Sequence, residues 1–253
     1  MLALLLSLAT HVPAVPPRAD DFHWKGRIPA GQTIEIRGIN GSIRAASGSG
    51  PEVEVTAVKH ARKSDPEEVK IEVVTHGGGV TICAVYPARH GRTNSCEPGG
   101  HGHNDMEDND VSVEFTVTVP NGVRLVAATV NGDVGADNLG AEVEASTVNG
   151  SIDVATRGAA EATTVNGSIR VRMGAVMTGD ASFTTVNGNI AVSFPSGLAC
   201  NFEANTVNGS IESAFPVTVT GRMKPTSMRG TIGAGGKELK LTTVNGSIQL
   251  MKS

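Results

Sequence analysis

VEASTVNGSIDVATRGAAEATTVNGSIRVRMGAVMTGDASFTTVNGNIAV, residues 143–192, carries one short motif three times. Thr147-Val148-Asn149-Gly150-Ser151-Ile152 returns unchanged at Thr164 to Ile169 and, with Asn in place of Ser, at Thr185 to Ile190. Thr-Val-Asn-Gly also begins at Thr129, Thr206 and Thr243. Two degenerate copies lie further out: Ile39-Asn40-Gly41-Ser42-Ile43, and Ser227-Met228-Arg229-Gly230-Thr231-Ile232, in which Arg229 replaces Asn. From Asn131 onward the motif positions are 131, 149, 166, 187, 208, 229 and 245, spaced by 18, 17, 21, 21, 21 and 16 residues. Self-similarity at such a period marks a repeat array.

A second punctuation point sits in each unit. Gly122, Gly140, Gly158, Gly179, Gly221 and Gly236 precede their motif position by 9, 9, 8, 8, 8 and 9 residues. The unit ending at Asn208 departs, its nearest glycine, Gly197, lying 11 residues upstream. Gly and Asn-Gly are expected to supply the positive φ of two sharp turns per unit. The turn set is Asn40, Asn131, Asn149, Asn166, Asn187, Asn208 and Asn245 with Gly132, Gly150, Gly167, Gly188, Gly209 and Gly246.

Between turns the pattern alternates as in a strand. Positions +3 and +5 from Asn read Ile152/Val154, Ile169/Val171, Ile190/Val192 and Ile248/Leu250. Positions −6 and −4 read Leu125/Ala127, Val143/Ala145, Ala160/Ala162, Phe202/Ala204 and Leu239/Leu241. Both sets should face a core. Strict parity then turns Thr at −2 inward and the recurring Val at −1 (130, 148, 165, 186, 207, 244) outward. Because monomeric proteins rarely leave a contiguous apolar stripe in water, a kink at Thr that buries Val is expected; an exposed row would be a docking surface.

Two architectures share these strands. Asn-Gly between alternating runs is a strong hairpin signal, which favours an antiparallel meander. In a meander, however, successive turns at one end lie roughly 10 Å apart, and nothing selects identical residues there. In a parallel solenoid each coil lies about 4.8 Å above the last, so Thr stacks on Thr and Asn on Asn. The repeat therefore predicts an all-β, single-chain parallel β-solenoid (β-helix), with seven coils from Asn131 onward forming a rod on the order of 35 Å long.

Composition agrees. The chain has 253 residues, 31 of them Gly, with 3% aromatic residues, too glycine-rich for a helical protein and expected of coils too narrow for many rings. A net charge of −4 gives no basic field for nucleic acid. Met1 to Ala9 is a short apolar run, with Val12 and Ala14 fitting a signal-peptidase site, so residues 1–14 read as a signal peptide and the protein as exported, to periplasm, envelope surface or exterior. Cys83 and Cys96, 13 residues apart, are a disulfide candidate; Cys200 is the odd thiol.

Residues 15–120 form an irregular N-terminal β segment, and 121–253 the repeats. The segment opens with Phe22-His23-Trp24 and the Asn40 copy. Val53–Val58, Val69–Val74, Val80–Val85 and Val111–Val119 read as strands, and Ser64-Asp65-Pro66-Glu67-Glu68 as the cap of a short helical turn. Pro87 to Asp110 reads as a polar loop. Its stretch His101 to Asp110 holds two His and four carboxylates, but without EF-hand spacing it reads as a solvated acidic loop, and no metal is assigned.

The outward rows are where a solenoid would carry chemistry. Position +4 reads Gly135, Asp153, Arg170, Ala191, Glu212, Gly233 and Gln249; position +2 reads Asp133, Ser151, Ser168, Asn189, Ser210, Thr231 and Ser247. Neither row gathers the paired acids of a glycosidase, and no His follows His103 to activate a serine. No catalytic residue and no cofactor are assigned.

The TVNGSI turns, the aromatic opening with INGSI, the VTICAVYP strand at 80–87 and the FTVTVPNGV entry at 115–123 resemble the bacterial putative-adhesin family of domains of unknown function, over roughly Phe22 to Met251. The resemblance implies a parallel β-solenoid and an envelope location, and carries no catalytic residues. The expectation is a non-enzymatic exported repeat protein with a structural or adhesive surface role. The alternatives are a periplasmic accessory protein that docks an envelope or membrane-regulatory partner through the Val row or the 87–110 loop, and, third, a solenoid enzyme acting on polysaccharide. The coil ending at Ser253 leaves little to cap it, so end-to-end self-association is expected.

Overall fold

The computed structural model describes residues 21–88, 94–102, 106, 108–219 and 224–253. The signal-peptide reading at 1–14 lies outside them, as do Gly221 and His103, Asn104, Asp105 and Glu107 of the acidic stretch.

The N-terminal part contributes β1 (Phe22–Gly26), β2 (Thr33–Arg37), β3 (Ile43–Gly48), β4 (Val53–His60), β5 (Lys70–His76), β6 (Gly79–Val85) and β7 (Ser112–Pro120). Strands β8 (Arg124–Ala128), β9 (Val134–Leu139), β10 (Val143–Ser146), β11 (Ile152–Thr156), β12 (Ala160–Thr163), β13 (Ile169–Met173), β14 (Ala181–Thr184) and β15 (Ile190–Phe194) follow in regular pairs. The last third adds β16 (Cys200–Asn205), β17 (Ile211–Ser213), β18 (Val217–Val219), β19 (Ser227–Ile232), β20 (Glu238–Thr242) and β21 (Ile248–Lys252).

Two sheets result. One runs β1-β4-β7-β3-β9-β11-β13-β15-β21-β17, the other β18-β19-β16-β20-β14-β12-β10-β8-β2-β6-β5. Each coil gives one strand to each sheet, and coil neighbours pair in parallel, so the fold is the expected β-solenoid. Antiparallel strands close both ends of the stack: β4 and β1 beyond β7, β5 beyond β6, and β19 with β18 beyond β16.

The inward rows are those the alternation gave. Ile152, Val154, Ile169, Val171, Ile190, Val192, Ile248 and Leu250 are buried, as are the −6 and −4 residues facing them from the other sheet. Each such Val, Ile or Leu contributes about 1.5–3 kcal/mol on burial. The core is wider than expected towards the Asn208 end, where Phe183 and Phe194 of one coil and Phe202 two coils on are all fully buried.

The coil order differs from the chain order. Bridges join Asn40 to Asn131, then Asn149, Asn166 and Asn187; Asn187 next meets Asn245, and Asn245 meets Asn208. The coil of β20 and β21 is thus inserted between that of β14 and β15 and that of β16 and β17. The expectation that the coil ending at Ser253 forms an uncovered end is corrected: it is interior, and Asn208 ends the ladder. The Arg229 copy is not a coil either. Its residues form β19, antiparallel to β16, with Arg229 opposite Glu203. The seven expected coils from Asn131 onward are therefore six, and a seventh rung comes from Asn40.

At the other end the β6–β7 level has no Asn-Gly turn; Tyr86, Met106 and Val111 meet the Asn40 rung instead. The short turn is a 3-10 turn at Pro66–Glu68, capped by Asp65, whose side chain accepts the Glu67 N–H at 3.0 Å. Ser64 instead accepts the Asp110 N–H at 3.1 Å.

Candidate functional site

The repeated motif forms one continuous edge of the rod, and each of its positions has a separate duty. Thr at −2 is buried at all six copies. Its hydroxyl donates to the carbonyl of the motif glycine one coil back: Thr147 to Gly132 at 2.9 Å, Thr164 to Gly150 at 2.9 Å, Thr185 to Gly167 at 2.9 Å, Thr243 to Gly188 at 3.0 Å and Thr206 to Gly246 at 2.9 Å. Parity runs through Thr without a kink because this bond satisfies its hydroxyl inside.

The neighbouring Val therefore faces out, against expectation. Val130, Val148, Val165, Val186 and Val244 are 37–39% exposed and Val207 is 64% exposed. In spatial order they form an unbroken apolar row along the rod.

Asn is exposed but not idle. Each Asn amide donates Nδ2–H to Oδ1 of the Asn one coil back, from Asn131 to Asn40 at 2.9 Å through Asn245 to Asn187 and Asn208 to Asn245, both at 2.7 Å. The ladder has a direction. At its first rung Asn40 Nδ2 donates to Val111 O and to Met106 Sδ, both at 3.4 Å, and the Tyr86 hydroxyl holds Val111 O at 2.9 Å. Burial pushes the Tyr86 phenol up to about 12.

Glycine follows for a reason other than the one expected. Of the motif glycines only Gly41 and Gly246 have positive φ, at 116° and 159°. A Cβ on Gly132, Gly150, Gly167, Gly188, Gly209 or Gly246 would stand 1.9–2.1 Å from the carbonyl oxygen of the glycine one coil back. Close approach between coils selects glycine at all six, and a positive φ adds to it at Gly246 alone.

The +2 residue closes the set. Its side chain accepts the +2 N–H of the next coil: Ser151 N–H to Asp133 Oδ1 at 2.7 Å, Ser168 to Ser151 Oγ at 3.3 Å, Asn189 to Ser168 Oγ at 3.2 Å and Ser247 to Asn189 Oδ1 at 2.8 Å. A shallow groove of about 410 Å³ runs beside this row, lined by Arg44, Asp133, Asp153, Arg170, Asn189 and Gln249 among others. Asp153 pairs with Arg170 at 3.5 Å and Arg172 at 2.9 Å. These groups neutralise one another and serve the backbone.

At the Asn40 end, Cys83 and Cys96 are joined in a disulfide with Cα atoms 5.6 Å apart. Cys200 is free and buried, and burial pushes its thiol up to about 11. Glu35, which sequence reasoning does not single out, is buried beside the 3-10 turn Pro98–Gly100. It accepts from Thr81 Oγ1 at 2.7 Å, Gly99 N–H at 3.0 Å and Arg37 Nε at 2.6 Å. Burial is the largest influence on its carboxyl and acts to raise the pKa; the three donors together outweigh it and hold the group below the usual carboxylate range.

Of the acidic stretch, Asp110 accepts the backbone N–H groups of Arg62, Lys63 and Ser64, which hold its pKa low, Ser64 contributing most. A cleft of about 890 Å³ opens beside it, lined by His60, Arg62, Lys63 and Asp108 among others. Among the described residues no group of three His, Cys, Asp or Glu could hold a metal ion. Nor, among them, is any helix long and apolar enough to cross a membrane.

Comparison with known proteins places this architecture. The fold is similar to a crystal structure described as a putative cell adhesion protein from Clostridium sporogenes, with TM-score 0.50 and 10% identity over 92% of this chain and 100% of that one. A putative adhesin from Bacteroides fragilis aligns over 94% of this chain and 99% of that one at 11% identity, with TM-score 0.31. No curated protein matches. The model of the Toastrack DUF4097 family matches residues 105–251, and the chain belongs to that family.

Proposed function

We propose that the protein is an exported, non-enzymatic solenoid that serves as a structural or adhesive surface of the cell envelope. The observation that carries this reading is the +2 row: the hydroxyls, amide and carboxylate that a catalyst would need turn to backbone N–H groups of the next coil. What remains is a long, stiff, repetitive face. The disulfide supports an oxidising compartment. The putative cell adhesion protein of similar fold motivates the adhesive part of the proposal.

The exposed Val row favours a second reading, an accessory protein that docks one envelope partner, because a contiguous apolar stripe marks an interaction surface. Fractionation of cells producing the full native chain tests export: recovery in the periplasm or envelope is expected, and a purely cytosolic protein would overturn it. Thiol counting on the denatured native protein should find one free thiol before reduction and three after. Pull-down from native envelope separates the two roles. Broad retention on surface or glycan material supports adhesion, and one stoichiometric protein supports docking. Polysaccharide turnover lost on changing Asp153 would refute both.

A further inference from the structure

We propose that the coil of residues 237–253 is an exchangeable donor, and that the slot it fills, between the β14–β15 and β16–β17 coils, is an interaction site for the same coil of a second copy of this chain.

The coil is held only by strands distant in sequence. Strand β20 pairs with β14 and β16, and β21 with β15 and β17. Its ladder bonds span 58 residues to Asn187 and 37 to Asn208. Its link to β19 is Gly233-Ala234-Gly235-Gly236, in which all three glycines have positive φ (57°, 76° and 136°), as suits a hinge that must change direction.

The slot does not distinguish its occupant from the other coils. It asks for a Thr hydroxyl to Gly188 O, an Asn amide to Asn187 Oδ1 and a +2 N–H to Asn189 Oδ1, the kinds of bond made at each level from Asn149 onward. For the same reason the Asn208 coil has two possible neighbours. It carries the same Thr, Asn and Gly as Asn245, so it can stack on Asn187 directly, as Asn187 stacks on Asn166. That closure expels coil 237–253 with Leu239, Leu241, Ile248 and Leu250 uncovered, all of them buried in the closed chain. An expelled apolar coil with an unsatisfied ladder is complementary to the slot of another copy whose own coil has left and whose Asn208 coil has not closed on Asn187, which is the condition for domain swapping.

End-to-end growth has no such complement. The Asn40 rung is covered by Val111 and Met106 of its own chain, so the open Asn208 rung meets no free opposite face there.

The test uses two exposed valines that are neighbours in the row, in the full chain with Cys200→Ser and the native disulfide intact. Parallel neighbours about 4.8 Å apart lie within disulfide reach. Val186→Cys and Val244→Cys chains are refolded together and oxidised. The expected result is a covalent mixed dimer at least tenfold above that formed by either variant alone, with dimers seen by light scattering of the unmodified refolded chain. A chain carrying both changes should close within itself, which checks that the geometry survives. Val148→Cys mixed with Val244→Cys is the control, because Val148 lies three coils from Val244. The proposal is overturned if that control pair cross-links equally, or if the double variant closes internally while mixed single variants give no dimer.

Discussion

The coils at Asn149 and Asn166 and those at Asn208 and Asn245 are built from the same motif, with the same Thr, Asn and Gly bonds to their neighbours. The first pair stacks in the order in which it is written. The second pair stacks in reverse, with the later coil inside and the earlier one at the end. Identical contact chemistry thus holds a coil in the stack without prescribing which coil lies beneath it. Position in the stack then decides what each side chain is worth. A central residue is clasped from both sides, and the same residue type at Asn208 from one.

The largest test of that difference is steric. Gly167→Ala places a Cβ 1.9 Å from Gly150 O with coils packed on both sides, and Gly209→Ala places one 2.0 Å from Gly246 O with no motif coil beyond. Overpacking should cost about 3 kcal/mol at Gly167 and about 1 kcal/mol at Gly209, where the coil can lift, as read from urea midpoints. Equal losses would break the comparison.

Next comes the covalent clasp at the opposite end. Reducing Cys83–Cys96 should cost about 2 kcal/mol, from the freed loop of the unfolded chain. Hydrogen exchange should locate the loosening in β5 and β6 and leave β20 and β21 protected.

The ladder itself gives a smaller effect. Asn166→Ala removes two amide bonds and Asn208→Ala one. Losses of about 1–2 kcal/mol and about half that are expected, measured by thermal melting.

The smallest effect concerns acid. Glu35 has a folded pKa below its unfolded value, so its contribution is complete above the unfolded pKa, near 4.5, and is lost as pH falls through the folded one. Glu35→Gln should flatten the acid limb of stability below about pH 4.5 and leave the ladder coils unchanged; an acid limb identical to that of the unaltered chain would show the carboxylate to be unimportant.

Much of this was legible in the residues. The alternation at +3, +5, −6 and −4 located the core rows, and identity at fixed positions separated the solenoid from the meander. For the Val row, simple parity and the general rarity of exposed apolar stripes point opposite ways; the structure sides with parity, since Thr has an acceptor inside and Val needs none. The +2 row left a signal that went unread. Asp, Ser, Ser, Asn, Ser and Ser are all short side chains able to accept a hydrogen bond, as a neighbour's N–H requires. Glu35 left almost none. It sits between Ile34 and Ile36 where alternation makes it an outward residue, and only the loop that delivers Gly99 buries it.

The sequence by itself determined the coil: its two turns, its inward rows and the chemistry by which one copy of the motif grips another. Only the tertiary structure decided the order of the stack. Contacts repeated at every level cannot rank their neighbours, so the order is fixed by features that occur once. Here those are Tyr86, Met106 and Val111 closing the Asn40 end and β19 lying antiparallel on β16, which makes the Asn208 coil terminal and leaves the Asn245 coil the place between it and Asn187.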